Sequence, residues 1–242
     1  MRALRDLACR AIDAIDITRQ RGAHPRIGAL DICPIVWPHP VQREQAREVA
    51  LAVAEQLGSI GLPVFLYGEL SSSPERAERA FFRRGGHEAL ADRMRDGELR
   101  PDLGPGWPHP TAGGVLVTSR GPLAAFNVEL EGAELESGEA VAAKLRESGG
   151  GLPGVRAIAI ELAPERIQIS TNVHDPVAVP LGRVVETIRA LAAKHDAAPV
   201  SAELVGLIPA AALEGYPADV PIRGGDPARR TLEARMGALE GG

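Results

Sequence analysis

Aromatic residues are scarce in this chain, which has 4 Phe, 2 Trp and 2 Tyr among 242 residues. Surfaces that bind single-stranded nucleic acid stack bases on aromatic side chains, and this sequence offers no such platform. The net charge of -5 also opposes binding to the phosphate backbone, which depends on an excess of Lys and Arg. The composition therefore argues against nucleic acid as a partner.

Cysteines and long apolar runs are equally rare. Cys9 and Cys33 have neither a CxxC nor a Cys-His spacing, so we expect no disulfide framework and no metal site. No apolar run approaches the roughly 18 residues of a membrane helix. The first ten residues lack the apolar centre of a signal peptide. These absences predict a cytoplasmic protein without a membrane partner.

The chain does contain the hydrophobic content and the periodicity of a folded α/β protein. An apolar fraction of 45% and a charged fraction of 24% are typical of globular chains. A length of 242 residues suffices for two domains of ordinary size. We predict two α/β (α+β) sandwich subdomains, over residues 1–119 and 120–242.

The second half shows the clearer pattern. From Leu123 it predicts the order strand, helix, strand, strand, helix, strand, which is the βαββαβ unit of a ferredoxin-like sandwich. In the second of these helices an apolar stripe is expected to pack on the sheet, and it comprises Leu181, Val184, Val185, Ile188 and Leu191.

The first half also alternates helices and strands. We predict helices over 3–20, 41–57 and 87–95, another helix that begins at Ser73, and strands over 29–37, 63–70 and 115–119. Pro34 is expected at a sheet edge or a bulge. This half opens on a helix with no strand before it, so the N-terminal sandwich is predicted to be incomplete.

Two loops contain the best candidates for chemistry. Residues 100–114 read RPDLGPGWPHPTAGG, in which Trp107 could stack on a flat heterocycle and the glycines expose backbone groups; an interdomain linker is the alternative. In the other loop His24 could act as a general base or only cap a helix. Arg26 could bind a carboxylate or pair with Asp31, and Asp31 could orient His24 or cap the turn.

Three further polar residues lie at the ends of predicted strands or on them. Asn127 and Asn172 in the second half could contact a ligand amide, or satisfy a neighbouring backbone group. Glu69 ends a strand of the first half, where a carboxylate could reach a site.

Several of these stretches resemble the formiminotransferase family, the folate-dependent glutamate formimidoyltransferases. This family includes the transferase part of formimidoyltransferase-cyclodeaminase. The matching segments run in the family's order: HPRIGALDICP (24–34), PVFLYGE (63–69), GHEAL (86–90), PDLGP (101–105), GG (113–114), AAFNVEL (124–130), QISTN (168–172) and ELVGLIP (203–209).

The resemblance implies a homodimer whose subdomains enclose a folate-binding tunnel. It implies transfer of a formimidoyl group between N5 of tetrahydrofolate, a co-substrate, and the amino group of glutamate, a step of histidine degradation. It identifies His24 with the catalytic histidine. For the substrate side of the site we assign Arg26 to the substrate's carboxylates and Asp31 to orienting the loop. Folate contacts are expected from Gly104, Pro105, Gly106, Trp107, Gly113 and Asn127.

The sequence also departs from the family pattern. Relatives carry a strand, a helix and a second strand that would precede Met1, and these contribute to the site. We therefore keep a second hypothesis, a folate-binding member that is catalytically impaired or non-catalytic. The residues also do not distinguish a formimidoyl donor from a formyl donor.

Overall fold

A computed structural model of the protein describes residues 2–20 and 25–240. The chain divides between Gly121 and Pro122 into two compact units. Both units combine helices with a β-sheet, so the predicted α/β (α+β) fold class is confirmed. No helix in these ranges is both long enough and apolar enough to cross a membrane.

The first unit is built on a three-stranded parallel sheet. Its strands lie in the order β1-β3-β2, with β3 hydrogen-bonded to both neighbours. The strands are β1 (Asp31–Val36), β2 (Val64–Leu66) and β3 (Val115–Arg120). The helices are α1 (Arg2–Ala14), α2 (Arg43–Ser59), α3 (Arg79–Arg83) and α4 (Leu90–Arg95).

Side chains from both faces of this sheet are buried. Val115 and Val117 pack in a core with residues of α1 and α2. Leu116, between them in β3, packs on the opposite side with Phe65 and with Phe82 of α3. Successive side chains of a strand alternate between faces, so β3 contributes to two cores. Helices on both faces are the usual environment of a parallel sheet.

The predicted first helix is too long. α1 ends at Ala14 and a 3-10 turn follows over Ile17–Arg19, with the Asp16 carboxylate accepting a hydrogen bond from the Thr18 amide. The Ile17 amide donates to the Thr111 carbonyl at 2.9 Å. A tertiary hydrogen bond therefore takes the place of the helical one.

Two other predictions in the first half need correction. β2 covers only 64–66 of the predicted 63–70, because Gly68 turns the chain with a φ of 59°. Pro74–Ala77 forms a 3-10 turn, and the Ser73 hydroxyl donates to the Glu75 carboxylate at 2.6 Å instead of capping a helix. The edge position of Pro34 is confirmed, since β1 pairs with β3 alone among the strands that the structure describes.

The second unit has the predicted βαββαβ order. The strands β4 (Ala124–Glu131), β5 (Val155–Ala163), β6 (Arg166–Val173) and β7 (Ala198–Val205) form an antiparallel sheet in the order β5-β6-β4-β7. The helices are α5 (Leu135–Leu145) and α6 (Leu181–Ala192), and the predicted stripe of α6 is buried except for partly exposed Leu191. β8 (Ile222–Arg223) pairs in parallel with β7, and α7 spans Leu232–Glu240.

Candidate functional site

The two loops singled out in the sequence are hydrogen-bonded to each other. Gly28 and Gly113 form an antiparallel bridge. The Ala29 amide donates to the Ala112 carbonyl and the Gly114 amide to the Ile27 carbonyl, each at 2.9 Å. A Cβ on Gly28 would overlap the Gly114 carbonyl oxygen. Glycine at this position therefore permits the close approach that joins the loops.

Loop 100–114 is also fixed at its other end. The Asp102 amide donates to the Val64 carbonyl at 2.8 Å, and the Asp102 carboxylate accepts from the Leu66 amide at 2.8 Å. Arg76 forms an ion pair with the same carboxylate. Asp102 thus holds the loop on β2, a role that was not predicted for it from the sequence.

Between its two anchors the loop is exposed. Pro105 and Gly106 lie at the surface, and the Trp107 side chain is 57% exposed within this structure. Gly104 has a φ of 81°, and a Cβ there would overlap the Leu62 carbonyl oxygen. The exposed segment thus presents an indole and unshielded backbone groups, and hydrogen bonds hold the loop at both of its ends.

Asp31 connects the first loop to α3. Its Oδ1 accepts a hydrogen bond from the Ile27 amide at 2.9 Å, and its Oδ2 accepts from the Arg83 guanidinium. Its φ is 53°, in the left-handed region that Asp tolerates better than most residues. Asp31 therefore holds the turn that follows Arg26. Arg83 was missed in the sequence, where residues around it were read only as a helix.

Arg26 has one nitrogen in use and one without a partner. Its Nη2 donates to the Gln20 carbonyl at 2.6 Å, while its Nε is buried and makes no hydrogen bond within the described ranges. Arg26 forms no ion pair with Asp31 in this part of the chain, so that alternative from the sequence is wrong. His24 lies outside the described residues.

Asn127 lies in the second unit, on the strand β4. Its Nδ2 donates to the Glu203 carboxylate at 3.2 Å, and it is opposite Ser170 in the pairing with β6. Asn172 lies on β6, and Glu69 of the first unit is paired with Arg43 at 3.1 Å. Asn127 thus contacts a neighbouring side chain, and not the backbone group that was the alternative to ligand binding.

Glu129, two residues after Asn127, is a charged residue that the sequence did not single out. Its side chain is 2% exposed. It forms ion pairs with Arg166 and, at 2.6 Å, with Arg223, and it accepts a hydrogen bond from Ser201 at 3.1 Å. This carboxylate connects strands β4, β6, β7 and β8. Among the residues described, no three His, Cys, Asp or Glu side chains are grouped to hold a metal ion.

Family profiles match both units of the chain. Residues 1–120 match the "Formiminotransferase domain, N-terminal subdomain", and residues 125–216 match the "Formiminotransferase domain".

Named relatives agree with these profiles. A glutamate formimidoyltransferase of Streptococcus pyogenes serotype M1 is 36% identical over 84% of this chain and 69% of its own length. A glutamate formimidoyltransferase of Thermoplasma acidophilum is 33% identical over 84% of this chain and 68% of its own length. The formimidoyltransferase-cyclodeaminase of Mus musculus is 35% identical over 84% of this chain but 39% of its own length. The chain is therefore a member of the formiminotransferase family.

Proposed function

We propose that this protein transfers a formimidoyl group between 5-formimidoyltetrahydrofolate and L-glutamate. The observation that carries the proposal is the bridge between Gly28 and Gly113, which joins the loop after His24 to the loop of Trp107 in a chain of this family. Two relatives that this chain matches over more than two thirds of their own length are named glutamate formimidoyltransferase.

The exposed part of loop 100–114 suits the folate co-substrate. The Trp107 indole is available to stack on a planar heterocycle. Gly106 has no atom within 4 Å of the place where a Cβ would stand, so a ligand could approach its backbone closely. In the proposed site Gly104, Pro105 and Gly113 shape the loop. Asn127, on β4, stays a predicted folate contact.

His24 is proposed as the general base. The amino group of glutamate is protonated near neutral pH and must lose a proton before it can attack. An imidazole titrates near this pH, and a positioned base contributes roughly 10²–10⁴-fold to the rate. His24 takes this proton, and the freed nitrogen lone pair forms a bond to the formimidoyl carbon.

The same imidazole completes the reaction. In the resulting tetrahedral adduct the formimidoyl carbon is bonded to both the glutamate nitrogen and N5 of the folate. His24 returns its proton to N5, the bond between N5 and the carbon breaks, and tetrahydrofolate leaves with N-formimidoylglutamate as the other product. Atoms and charge balance without a further reactant, and no metal is required by these steps.

Arg26 and Asp31 are proposed to support the action of this base. The guanidinium of Arg26 is proposed to bind a substrate carboxylate, an interaction that its planar geometry favours. Asp31 accepts the Ile27 amide and the Arg83 guanidinium, and so limits the conformations of the loop that follows His24. Holding both substrates in line contributes to the rate in addition to the base.

The direct test is to incubate the full chain with 5-formimidoyltetrahydrofolate and glutamate and to follow N-formimidoylglutamate by mass spectrometry. We expect product only when both substrates are present. A parallel reaction with 5-formyltetrahydrofolate distinguishes the two donors. Folate binding without product in either reaction would contradict the proposal and favour the non-catalytic hypothesis.

The proposed reaction belongs to histidine degradation and is proposed to take place in the cytoplasm. By the family pattern we also propose a homodimer. Sedimentation analysis of the purified chain tests this assembly, and a single species at the 25.5 kDa mass of one chain would contradict it.

A further inference from the structure

A tyrosine in the first unit is held against β3 on the side of the sheet where α3 packs. Tyr67 directly follows β2, and its side chain is 7% exposed. Its amide donates to the Val117 carbonyl at 3.1 Å, and its carbonyl accepts from the Thr118 hydroxyl at 2.7 Å. The backbone of Tyr67 is therefore fixed where the parallel strands end, which is the usual position of ligands in parallel sheets.

The charges of three arginines, Arg79, Arg83 and Arg120, act on the phenol of Tyr67. Arg79 and Arg83 are four residues apart on α3 and so share one helix face. Phe82 of the same helix packs on Phe65, with ring centroids 5.6 Å apart, in the core that also contains Tyr67. Arg120 is the last residue of β3 and lies two residues after Thr118.

These three cations have too few acidic partners. Arg83 pairs with Asp31, and its Nε is buried without a hydrogen bond. Arg79 and Arg120 form no ion pair with any carboxylate in the described parts of the chain; Arg120 donates to the Gly121 carbonyl at 2.8 Å. Like charges four apart on a helix destabilise it, so this arrangement costs stability in the absence of an anion.

The electrostatic environment agrees with this description. Burial raises the pKa of Tyr67, and the charges of Arg79, Arg120 and Arg83 act in the opposite direction. Burial also lowers the pKa of Arg120, and the nearby charge of Arg79 adds to that effect. A partly desolvated guanidinium binds a carboxylate more strongly than a fully hydrated one does.

We propose that Tyr67, Arg79, Arg83 and Arg120, the arginine–tyrosine cluster, bind a carboxylate of a glutamyl group. Guanidinium forks match the two oxygens of a carboxylate, and a phenol can donate a third hydrogen bond to it. This inference rests on the proposed function, in which both substrates carry such a group. The free acceptor glutamate is one source, and the glutamyl tail of the folate is the other.

Calorimetric binding to the full chain tests the cluster without turnover. The ligands are glutamate, glutarate, and 5-formyltetrahydrofolate with one or with three glutamyl residues. The variants are Arg79→Gln and Arg120→Gln, and the control is Arg10→Gln, an exposed arginine of α1. We expect the cluster variants to weaken binding by about 10- to 100-fold relative to the control, as loss of a charge-assisted hydrogen bond implies.

The pattern of loss identifies the source of the carboxylate. Weaker binding of glutamate and glutarate assigns the cluster to the acceptor. Weaker binding of the folates, most of all the form with three glutamyl residues, assigns it to the donor tail. Affinities of all four ligands within twofold of the Arg10→Gln control would overturn the inference, as would a wild-type chain that binds none of them.

Two further measurements separate this inference from folding effects and from the proposed function. Arg120→Lys keeps the charge and is expected to recover part of the affinity, which a purely structural role would not require. Thermal unfolding of each variant must match the control. The chain could bind carboxylates through the cluster and yet show no transferase activity. That result would contradict the proposed function and leave the inference about the cluster standing.

Discussion

Gly28 and Gly113 are bridged so closely that neither could carry a side chain without moving the other loop. A Cβ on Gly28 would meet the Gly114 carbonyl oxygen, and a Cβ on Gly113 would meet the Ile27 carbonyl oxygen. Both obstacles are backbone atoms, which cannot rotate away. The contact between the two loops therefore depends on glycine at both positions.

Replacing Gly28 is expected to separate the loops. Gly28→Ala should lower the free energy of unfolding by about 1–3 kcal/mol, because overpacking forces the backbone to shift. Chemical denaturation measures this change. Gly106→Ala is the matched control from the same loop system, since no atom lies within 4 Å of the new Cβ. Equal stability of the two variants would contradict the description of the bridge.

Two substitutions of Asp31 separate the role of its charge from the roles of its hydrogen-bond acceptor and its positive φ. Asp31→Asn keeps an acceptor for the Ile27 amide and tolerates a φ of 53°, but it loses the charge that pairs with Arg83. Asp31→Ala loses the acceptor, the tolerance of a positive φ and the charge. We expect Asp31→Ala to be less stable than Asp31→Asn by about 1–3 kcal/mol in denaturant unfolding. Indistinguishable stabilities would show that this turn is not held as described.

The buried Glu129 carboxylate is expected to stabilise the second unit. Glu129→Gln leaves Arg166 and Arg223 without their shared counter-charge, and both arginines are about half exposed. We therefore expect a loss of about 1–3 kcal/mol, less than a fully buried pair would cost. Glu131→Gln, an exposed position at the end of the same strand, is the control and should change stability by no more than about 0.5 kcal/mol.

Trp107 is expected to report folate binding. The other tryptophan, Trp37, is only partly exposed and packs near Gly121. In a Trp37→Phe chain, 5-formyltetrahydrofolate should quench the remaining fluorescence as it stacks on the indole. A titration curve gives the affinity. Emission that stays constant to saturating folate, in a chain that calorimetry shows to bind it, would exclude Trp107 from the folate contacts.

Regular elements were predictable where a single face is buried. The stripe of α6 and the βαββαβ order of the second unit follow from periodicity alone, because one side of each element packs in the core. The first helix was predicted too long, because Ile17 bonds to the distant Thr111 carbonyl and local patterns carry no information on that contact.

The site was predictable only in part, for a related reason. Motif residues identified the two loops, but their contact depends on Gly28 meeting Gly113, which are far apart in the chain. Arg83 and Asp102 were missed, since each acts through a partner remote in sequence, Asp31 and Leu66 respectively. The i, i+4 spacing of Arg79 and Arg83 on an apolar helix was a signal that could have directed attention to α3.

The role of His24 is tested most directly by comparing formimidoyl transfer in His24→Ala with transfer in the wild-type chain at saturating substrates. His195→Ala, an exposed histidine of the second unit, serves as the control. A general base in this position predicts that kcat falls by roughly 10²–10⁴-fold in His24→Ala while the control keeps the wild-type rate. A His24→Ala protein as fast as the control would contradict the proposed mechanism.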